Sequence, residues 1–346
     1  MKSFKIGDLT VKLPIIQGGM GVGISLSGLA SAVANEGGVG VISCAGIGLL
    51  YPRFSKDYLT NSMMGLREEL RKARAKTRGI VGVNVMVALS NFSDMVRTEK
   101  ADIIFSGAGL PLDLPSYLRE DSTTKLVPIV SSARAARVIC EKWKANYDYL
   151  PDALVVEGPK AGGHLGYKRE QIDNADYSLE RIVPEVVSEV GRYEELYGRR
   201  IPVIAAGGLY TGEDIYRIMR LGATGVQLGS KFVTTEECDA SPTFKQTYID
   251  SSKDDIEIIA SPVGMPGRAI GGEFIRRVKE GLMRPKKCPF HCIKTCDYTK
   301  SPYCIIMALY NAAKGNLSKG YAFCGANAYM SKKITSVRET IESLKS

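Results

Sequence analysis

Long hydrophobic segments are missing from this sequence. No apolar run reaches the ~18 residues that a membrane-spanning helix needs, so a transmembrane protein is not expected. The first residues, MKSFKIGDLTVKLP, lack the apolar core and the cleavage site of a secretory signal peptide. We therefore expect a cytoplasmic protein that does not act in a membrane.

Sequence motifs of dinucleotide-binding folds and of nucleic-acid-binding proteins are also missing. The glycines of QGGMGVGIS (residues 17–25) lack the G-x-G-x-x-G spacing of a dinucleotide-binding fold. The net charge is +9, and the densest basic segment is RRVKEGLMRPKK (residues 276–287). No nucleic-acid motif surrounds this basic segment, so it is either a solvated face or a docking surface for an acidic partner.

The sequence does contain eight short apolar runs, which alternate with amphipathic segments. Continuous apolar runs of this length are typical of strands that are covered on both faces. The runs span residues 14–17, 39–43, 80–85, 102–106, 126–130, 153–158, 202–208 and 224–230.

Capping residues mark some of the helices between these runs. Ser25 or Ser27 is the expected cap of a helix that stops at Gly37. Thr211, with Asp214 three residues later, is the expected N-cap of another helix.

Eight βα units over about 230 residues predict an α/β fold, the (β/α)₈ or TIM barrel. We expect the barrel to occupy residues 1–232, with a final helix at about 333–346 packing back on it. Residues 233–332 break the alternation and are expected to form a smaller substrate or cap domain that carries a cysteine cluster.

The cysteines do not follow the pattern of a disulfide framework. Cys288, Cys292, Cys296 and Cys304 are separated by three, three and seven residues, and His291 lies among them. Thiols at this density can hold zinc or an iron–sulfur cluster, but the spacing matches no familiar motif for either. Structural or free thiols, a metal or cluster site and a redox-active group all remain open, so no metal ligand is assigned.

Two glycine-rich loops predict a phosphate site. In TIM barrels the loops after the seventh and eighth strands form a recurrent phosphate site, and glycine lets backbone N–H groups converge on an anion. The seventh run ends in Gly207 and Gly208, and the eighth in Gln227, Gly229 and Ser230.

Other strand ends favour a flat cofactor. Gly18, Gly19 and Met20 follow the first strand and could supply backbone contacts and an apolar lid. Asn84, near the end of the third strand, could offer its amide to the edge of a ring. This layout suits a flavin better than a sugar phosphate.

One of the two histidines of the chain, His164, lies in EGPKAGGHLG (residues 157–166) after the sixth strand. The flanking glycines leave room for a flat ring beside an imidazole that can exchange a proton near neutral pH. A non-flavin enzyme acting on a phosphorylated metabolite, with Lys160 and Glu157 nearby, and a non-catalytic binding protein are the rivals outside the flavin hypothesis.

Six motifs, in order over residues 1–270, resemble the nitronate monooxygenase (2-nitropropane dioxygenase) family. The related FMN-type enoyl-acyl-carrier-protein reductases share them. The motifs are QGGMGVGIS, GVNVMV, EGPKAGGHLG, PVIAAGGLYTGEDI, GATGVQLGSKFV and SPVGMPGRAI.

The resemblance implies an FMN-binding TIM barrel with a small second domain. It implies that His164 is the catalytic acid or base at the flavin, and that Glu157 lies near the isoalloxazine or ribityl chain. The other implied cofactor-binding residues are Gly18, Gly19, Met20, Asn84, Ala161, Gly162, Gly163, Gly207, Gly208, Gln227, Gly229 and Ser230.

Two reactions follow from the resemblance. In the first, a small alkyl nitronate is oxidised with dioxygen to a carbonyl compound and nitrite, and we expect this reaction. In the alternative, NAD(P)H reduces the flavin, which then reduces an enoyl thioester, and an acidic acyl carrier protein becomes the partner. The oligomeric state is left open and includes a homodimer.

Overall fold

The structure is a computed structural model that describes residues 1–98 and 100–345. Its strands, numbered in chain order, are β1 (Phe4–Ile6), β2 (Leu9–Val11), β3 (Ile15–Gln17), β4 (Val39–Ser43), β5 (Ile80–Asn84), β6 (Ile103–Ser106), β7 (Lys125–Val130), β8 (Leu154–Glu157), β9 (Gly163–His164), β10 (Val203–Ala206), β11 (Gly225–Leu228), β12 (Ile256–Ala260) and β13 (Pro266–Ile270). Its helices are α1 (Ser27–Asn35), α2 (Tyr58–Lys76), α3 (Phe92–Thr98), α4 (Ala133–Tyr147), α5 (Leu179–Tyr197), α6 (Gly212–Arg220), α7 (Ser230–Val233), α8 (Pro242–Asp250), α9 (Glu273–Lys279), α10 (Ile305–Ala313) and α11 (Val337–Ser343).

Eight parallel strands close into a barrel in the order β3-β4-β5-β6-β7-β8-β10-β11, and β11 pairs with β3 to complete it. Each of these strands lies within one or two residues of an apolar run in the sequence. The predicted TIM barrel is therefore confirmed. Within the described residues, no helix is long and apolar enough to cross a membrane.

Apolar side chains fill the barrel interior from the strands and from an N-terminal hairpin. Ile16, Phe105 and Ile204 belong to the same buried cluster as Phe4 of β1. The Phe4 ring also faces Gly225, the first residue of β11. The β1–β2 hairpin thus closes the end of the barrel at which the strands begin, and the opposite end is left for a site.

Helix α1 is capped differently from the expectation. Leu26 is the N-cap and contributes no side-chain hydrogen bond, so the predicted cap at Ser25 or Ser27 is wrong. The Asp239 carboxylate accepts hydrogen bonds from the Leu26 and Leu29 N–H groups at 2.7 and 3.1 Å. An acidic group at a helix N-terminus satisfies free N–H groups as a local cap does. At α6, by contrast, Thr211 and Asp214 form the predicted capping box.

Residues after the barrel add a small sheet and further helices. The β12–β13 hairpin pairs with β9, giving the antiparallel order β12-β13-β9. Helix α11 packs against α1 on the barrel wall. Because β9 belongs to the loop that follows β8, this sheet takes strands from both sides of residue 232. The division into residues 1–232 and 233–332 therefore stays a prediction.

The contact between β4 and α1 offers a test of the packing. A Cβ added at Gly40 would lie 1.8 Å from the Ala30 carbonyl oxygen, so Gly40→Ala must push the helix away from the strand. We expect the free energy of unfolding, measured in urea, to fall by about 1–3 kcal/mol or more. Gly191 lies in α5 with open space around it, so Gly191→Ala should not destabilise the protein. Equal losses in both variants would contradict this packing.

Candidate active site

A cavity of about 260 Å³ opens at the end of the barrel where the parallel strands finish. Its wall combines strand ends, the loops that follow them and residues 321–327 from the C-terminal part of the chain. All the predicted site residues line it: Gly18, Gly19, Met20, Asn84, Glu157, Ala161, Gly162, Gly163, His164, Gly207, Gly208, Gln227, Gly229 and Ser230. The structure thus brings them together, while their roles stay predictions.

The loop after β8 carries His164 and is held by a buried arginine. Gly163 and His164 form β9, which pairs with Arg268 and Gly267 of β13. The Arg268 guanidinium donates hydrogen bonds to the carbonyl oxygens of Pro159 and Ala161, at 2.6 and 2.8 Å. Because Arg268 is only 6% exposed, these charge-assisted bonds fix the loop in a nearly dry setting.

His164 is half-buried and has two side-chain neighbours that orient its imidazole. Its Nε2 lies 2.7 Å from the Ser261 Oγ, and the Phe323 ring stands edge-on with centroids 5.0 Å apart. Burial lowers the pKa of His164 to about 4. The imidazole is therefore neutral at pH 7, and its burial disfavours the protonated form.

Glu157, the last residue of β8, is shifted in the opposite direction. Burial raises its pKa to about 7, because a carboxylate loses hydration at the barrel mouth. The Tyr167 hydroxyl donates a 2.6 Å hydrogen bond to the backbone carbonyl of Glu157, which fixes the strand end. Near pH 6, Glu157 is largely protonated and His164 is neutral, so neither adds a formal charge to the cavity.

Close packing accounts for two of the glycines near β3. A Cβ at Gly19 would lie 2.4 Å from the Asn84 Cβ, and one at Gly18 would lie 3.2 Å from the Gln227 side chain. These glycines let Asn84 and Gln227 stand against the β3 loop. Below them, the buried Gln17 amide bonds to both the N–H and the carbonyl of Val41, at 3.0 and 3.2 Å, and so ties β3 to β4.

The loops after β10 and β11 have a backbone geometry that suits anion binding. Gly207 and Gly208 have φ of 99° and 80°, which glycine adopts without strain. Within the described chain, no hydrogen bond occupies the N–H groups of Gly207, Gly208 or Gly229, and all three residues line the cavity. Free N–H groups on neighbouring loops match the donor set that a phosphate needs.

A C-terminal segment, residues 324–327, covers these two loops. Gly325 N–H donates to the Ser230 Oγ at 2.8 Å, and the Asn327 side-chain amide donates to the Gly208 carbonyl at 2.7 Å. Ala326 N–H donates to the Lys160 carbonyl at 3.1 Å. The segment therefore joins the loops after β8, β10 and β11 into one unit.

Sequence reasoning missed several residues of this site. Ser261 and Arg268 lie in the motif SPVGMPGRAI, whose sequence indicates a family but no role for its individual residues. Phe323 and Asn327 lie in a region that carried no sequence indication. Their contacts join positions that are 97 to 159 residues apart in the chain. Contacts between such distant positions cannot be predicted from one sequence.

The predicted cysteine cluster and basic segment lie outside the cavity. None of Cys288, Cys292, Cys296 and Cys304 lines it. In the part of the chain that the structure describes, no three His, Cys, Asp or Glu residues are grouped so that they could hold a metal ion. All eight cysteine thiols are free.

Comparison with known proteins places the chain among flavoenzyme-like barrels. A family model described as nitronate monooxygenase matches residues 2–101 and 67–346. A "Probable nitronate monooxygenase" of Staphylococcus saprophyticus is 26% identical over 307 residues, which are 79% of this chain and 80% of that protein. FabK from Thermotoga maritima has a TM-score of 0.73 at 27% identity, over 96% of this chain and 92% of its own.

A third similar protein is named as a dehydrogenase of a coenzyme A thioester. It is the "(3aS,4S,5R,7aS)-5-hydroxy-7a-methyl-1-oxo-octahydro-1H-indene-4-carboxyl-CoA dehydrogenase" of Mycobacterium tuberculosis, 26% identical over 274 residues. The match covers 78% of this chain but only 66% of that protein's length.

Arg268 provides a test of how the site is held. Arg268→Met removes two charge-assisted hydrogen bonds and leaves two carbonyl oxygens unsatisfied, each loss being worth about 1.5–3 kcal/mol. We expect the free energy of unfolding to fall by about 3–6 kcal/mol in urea titrations. Arg276→Met, at an exposed position of α9, should change it by less than about 0.5 kcal/mol. A similar small change for Arg268→Met would show that Arg268 does not hold the loop.

Proposed function

Because the chain belongs to the nitronate monooxygenase family and is an FMN-dependent oxidoreductase, we propose that it oxidises alkyl nitronates with dioxygen. The products are a carbonyl compound and nitrite. The observation that carries this choice over enoyl reduction is the match of residues 2–101 and 67–346 to the nitronate monooxygenase family model.

A neutral imidazole accepts protons and is a poor proton donor. With a pKa of about 4, His164 carries a proton in only a small fraction of molecules at pH 7. Reduction of an enoyl thioester needs a proton delivered to its α-carbon. Nitronate oxidation needs no such delivery, and a neutral His164 can instead take the α-proton of a nitroalkane to give the nitronate anion. The low pKa of His164 weighs against its acting as the proton donor of enoyl reduction, and it also makes the imidazole a weaker base than free histidine.

The loops around the cavity offer a consistent place for FMN. The free N–H groups of Gly207, Gly208 and Gly229 would hold its phosphate, with the Ser230 hydroxyl beside them. Asn84 and Gln227 would face the ring. Because Gly162 and Gly163 have no Cβ, the ring could lie close to the loop after β8. Bound there, the flavin supplies the electron acceptor that side chains lack.

Apolar side chains line part of the cavity. They come from Phe323, which packs against His164, and from Tyr321, Leu309 and Met20. Lys160 also lines the cavity and places a positive charge where an anionic substrate can use it. A small anion with a short apolar chain suits this combination.

Replacement of His164 tests its role. With a neutral nitroalkane as substrate, whose α-proton must be removed, we expect His164→Ala to keep FMN and the fold but to lose about 10²–10⁴-fold in kcat/KM, the usual contribution of a general base. His291→Asn is the matched control, since His291 lies outside the cavity and asparagine tolerates its φ of 44°. Loss of flavin from His164→Ala, with full turnover after reconstitution, would contradict a role in proton transfer.

The reaction is tested by supplying each substrate separately. Purified protein with propionate 3-nitronate in air should release nitrite without NADH or NADPH. The proposal is wrong if nitrite does not form and NAD(P)H is oxidised only when an enoyl thioester such as crotonyl-CoA is present. A colourless protein that takes up no FMN would remove both flavin reactions.

One feature favours the enoyl reductase alternative. The exposed side chains of Arg276, Lys279, Arg284, Lys286 and Lys287 form a basic surface of the kind that an acidic acyl carrier protein would bind. Under this alternative, NAD(P)H would be the reductant and Glu157, which lines the cavity and has a pKa raised to about 7, would be the proton donor.

A further inference from the structure

A second cavity, of about 300 Å³, has no role in the reaction proposed above. Its wall is built from the loop after β10, from α7, from residues 330–335 and from α11. Tyr210 lines this second cavity and also the first one. The two cavities are therefore neighbours, separated by the loops that carry the predicted phosphate site.

Positive charge dominates the wall of the second cavity. Lys231, Lys332 and Lys333 line it, and Glu339 is the one acidic residue among the described residues of the wall. The Glu339 carboxylate already accepts hydrogen bonds from the N–H and the Oγ of Ser336, at 2.8 and 2.9 Å. Three ammonium groups beside one engaged carboxylate suit an anionic ligand.

Lys231 has a positive charge that the described residues leave unpaired. Its Nζ lies 4.3 Å from the centre of the Tyr210 ring, and the side chain is half-buried. Among the described residues, no carboxylate forms an ion pair with this ammonium group. Burial lowers the pKa of Lys231, because the ammonium loses hydration there. A half-buried cation of this kind gains most from an anion that enters the cavity.

Hydroxyl groups supply further donors to the same cavity. The Tyr210 and Ser331 hydroxyls lie 2.7 Å apart, and the Thr234 hydroxyl donates to the Ser331 Oγ at 3.4 Å. The Thr335 and Thr340 hydroxyls lie 2.9 Å apart. When hydroxyls bond to one another in an open chain, one O–H group of the chain stays free to donate. Each of the two sets therefore offers a donor to a ligand.

This combination of donors suits a phosphate group better than a carboxylate. Arginine binds a planar carboxylate with two parallel N–H groups, and within the described chain no arginine lines the second cavity. Lysine acts as a point charge, and hydroxyl donors can approach a tetrahedral anion from several directions.

We propose that the second cavity binds the phosphate group of a small molecule, with Lys231 as its central cation. Lys332 and Lys333 add charge at the exposed side of the cavity. The hydroxyl sets of Ser331 and Thr340 add neutral donors. The ligand is inorganic phosphate or a small phosphate monoester.

This site is separate from the loops proposed to hold FMN. Gly207, Gly208 and Gly229 line the first cavity and not the second. Lys231 follows Ser230 directly but contacts the Tyr210 ring of the second cavity. Bound FMN would therefore leave the second site open, whichever reaction the flavin carries out.

The test titrates the full-length FMN-bound protein with inorganic phosphate in a calorimeter, at constant ionic strength. Because FMN already fills the first site, we expect saturable binding of one phosphate per chain. Lys231→Met should weaken this binding about 10-fold or more, since it removes a charged donor. Glycerol 3-phosphate is titrated in parallel. Tighter binding than phosphate identifies a monoester as the ligand, and equal or weaker binding identifies the free anion.

Lys314→Met is the matched control. The Lys314 ammonium also lies over an aromatic ring, 5.8 Å from the centre of Tyr310, but it is outside the second cavity. Its loss should leave phosphate binding unchanged. Absence of saturable binding to the unaltered protein would overturn the proposal, as would equal weakening in Lys314→Met and Lys231→Met.

A double variant keeps the proposal testable if Lys231→Met does not fold. Lys332 and Lys333 are exposed, so Lys332→Met with Lys333→Met should keep the fold and the flavin, which circular dichroism and FMN content verify. We expect this double variant to bind phosphate more weakly than the unaltered protein. Unchanged phosphate affinity in the folded double variant would contradict the proposed site.

Discussion

Closure of eight parallel strands into one barrel is the constraint on which the rest of the structure depends. Because all eight strands run in the same direction, their final residues meet at one end. The β1–β2 hairpin fills the other end with Phe4 and its neighbours. Residues as far apart in the sequence as Gly18 and Ser230 therefore line the same cavity. The Gln17 amide strengthens the barrel at β3, where pairing with β4 is short.

Burial at this end of the barrel shifts the pKa values of the titratable side chains that line the cavity. The Arg268 guanidinium and the Ala326 N–H group donate hydrogen bonds to the loop after β8, and the Phe323 ring packs edge-on against His164. In this environment the charged forms of both His164 and Glu157 are disfavoured, so their pKa values move in opposite directions. A neutral His164 beside a glycine-lined cavity is the arrangement on which the proposed proton abstraction depends.

The barrel strands could be predicted from the sequence because strands buried on both faces leave short, continuous apolar runs. The location of the site residues could be predicted because the carboxyl ends of all parallel strands lie at the same end of a barrel. Contacts formed between distant segments could not be predicted in this way. Asp239 caps α1 from more than 200 positions away, so the nearby Ser25 and Ser27 were misleading. Ser261 and Asn327 likewise reach the site only through tertiary folding.

The desolvated state of His164 is measured most directly by nuclear magnetic resonance of the FMN-bound protein. The chain contains two histidines, so a pH titration of ¹⁵N-labelled imidazoles gives two sets of signals, and His164→Ala assigns them. Burial predicts that the His164 imidazole stays neutral from pH 8 down to about pH 5, with a pKa near 4. A His164 pKa at or above the ordinary value of about 6.5 would contradict the neutral-base mechanism.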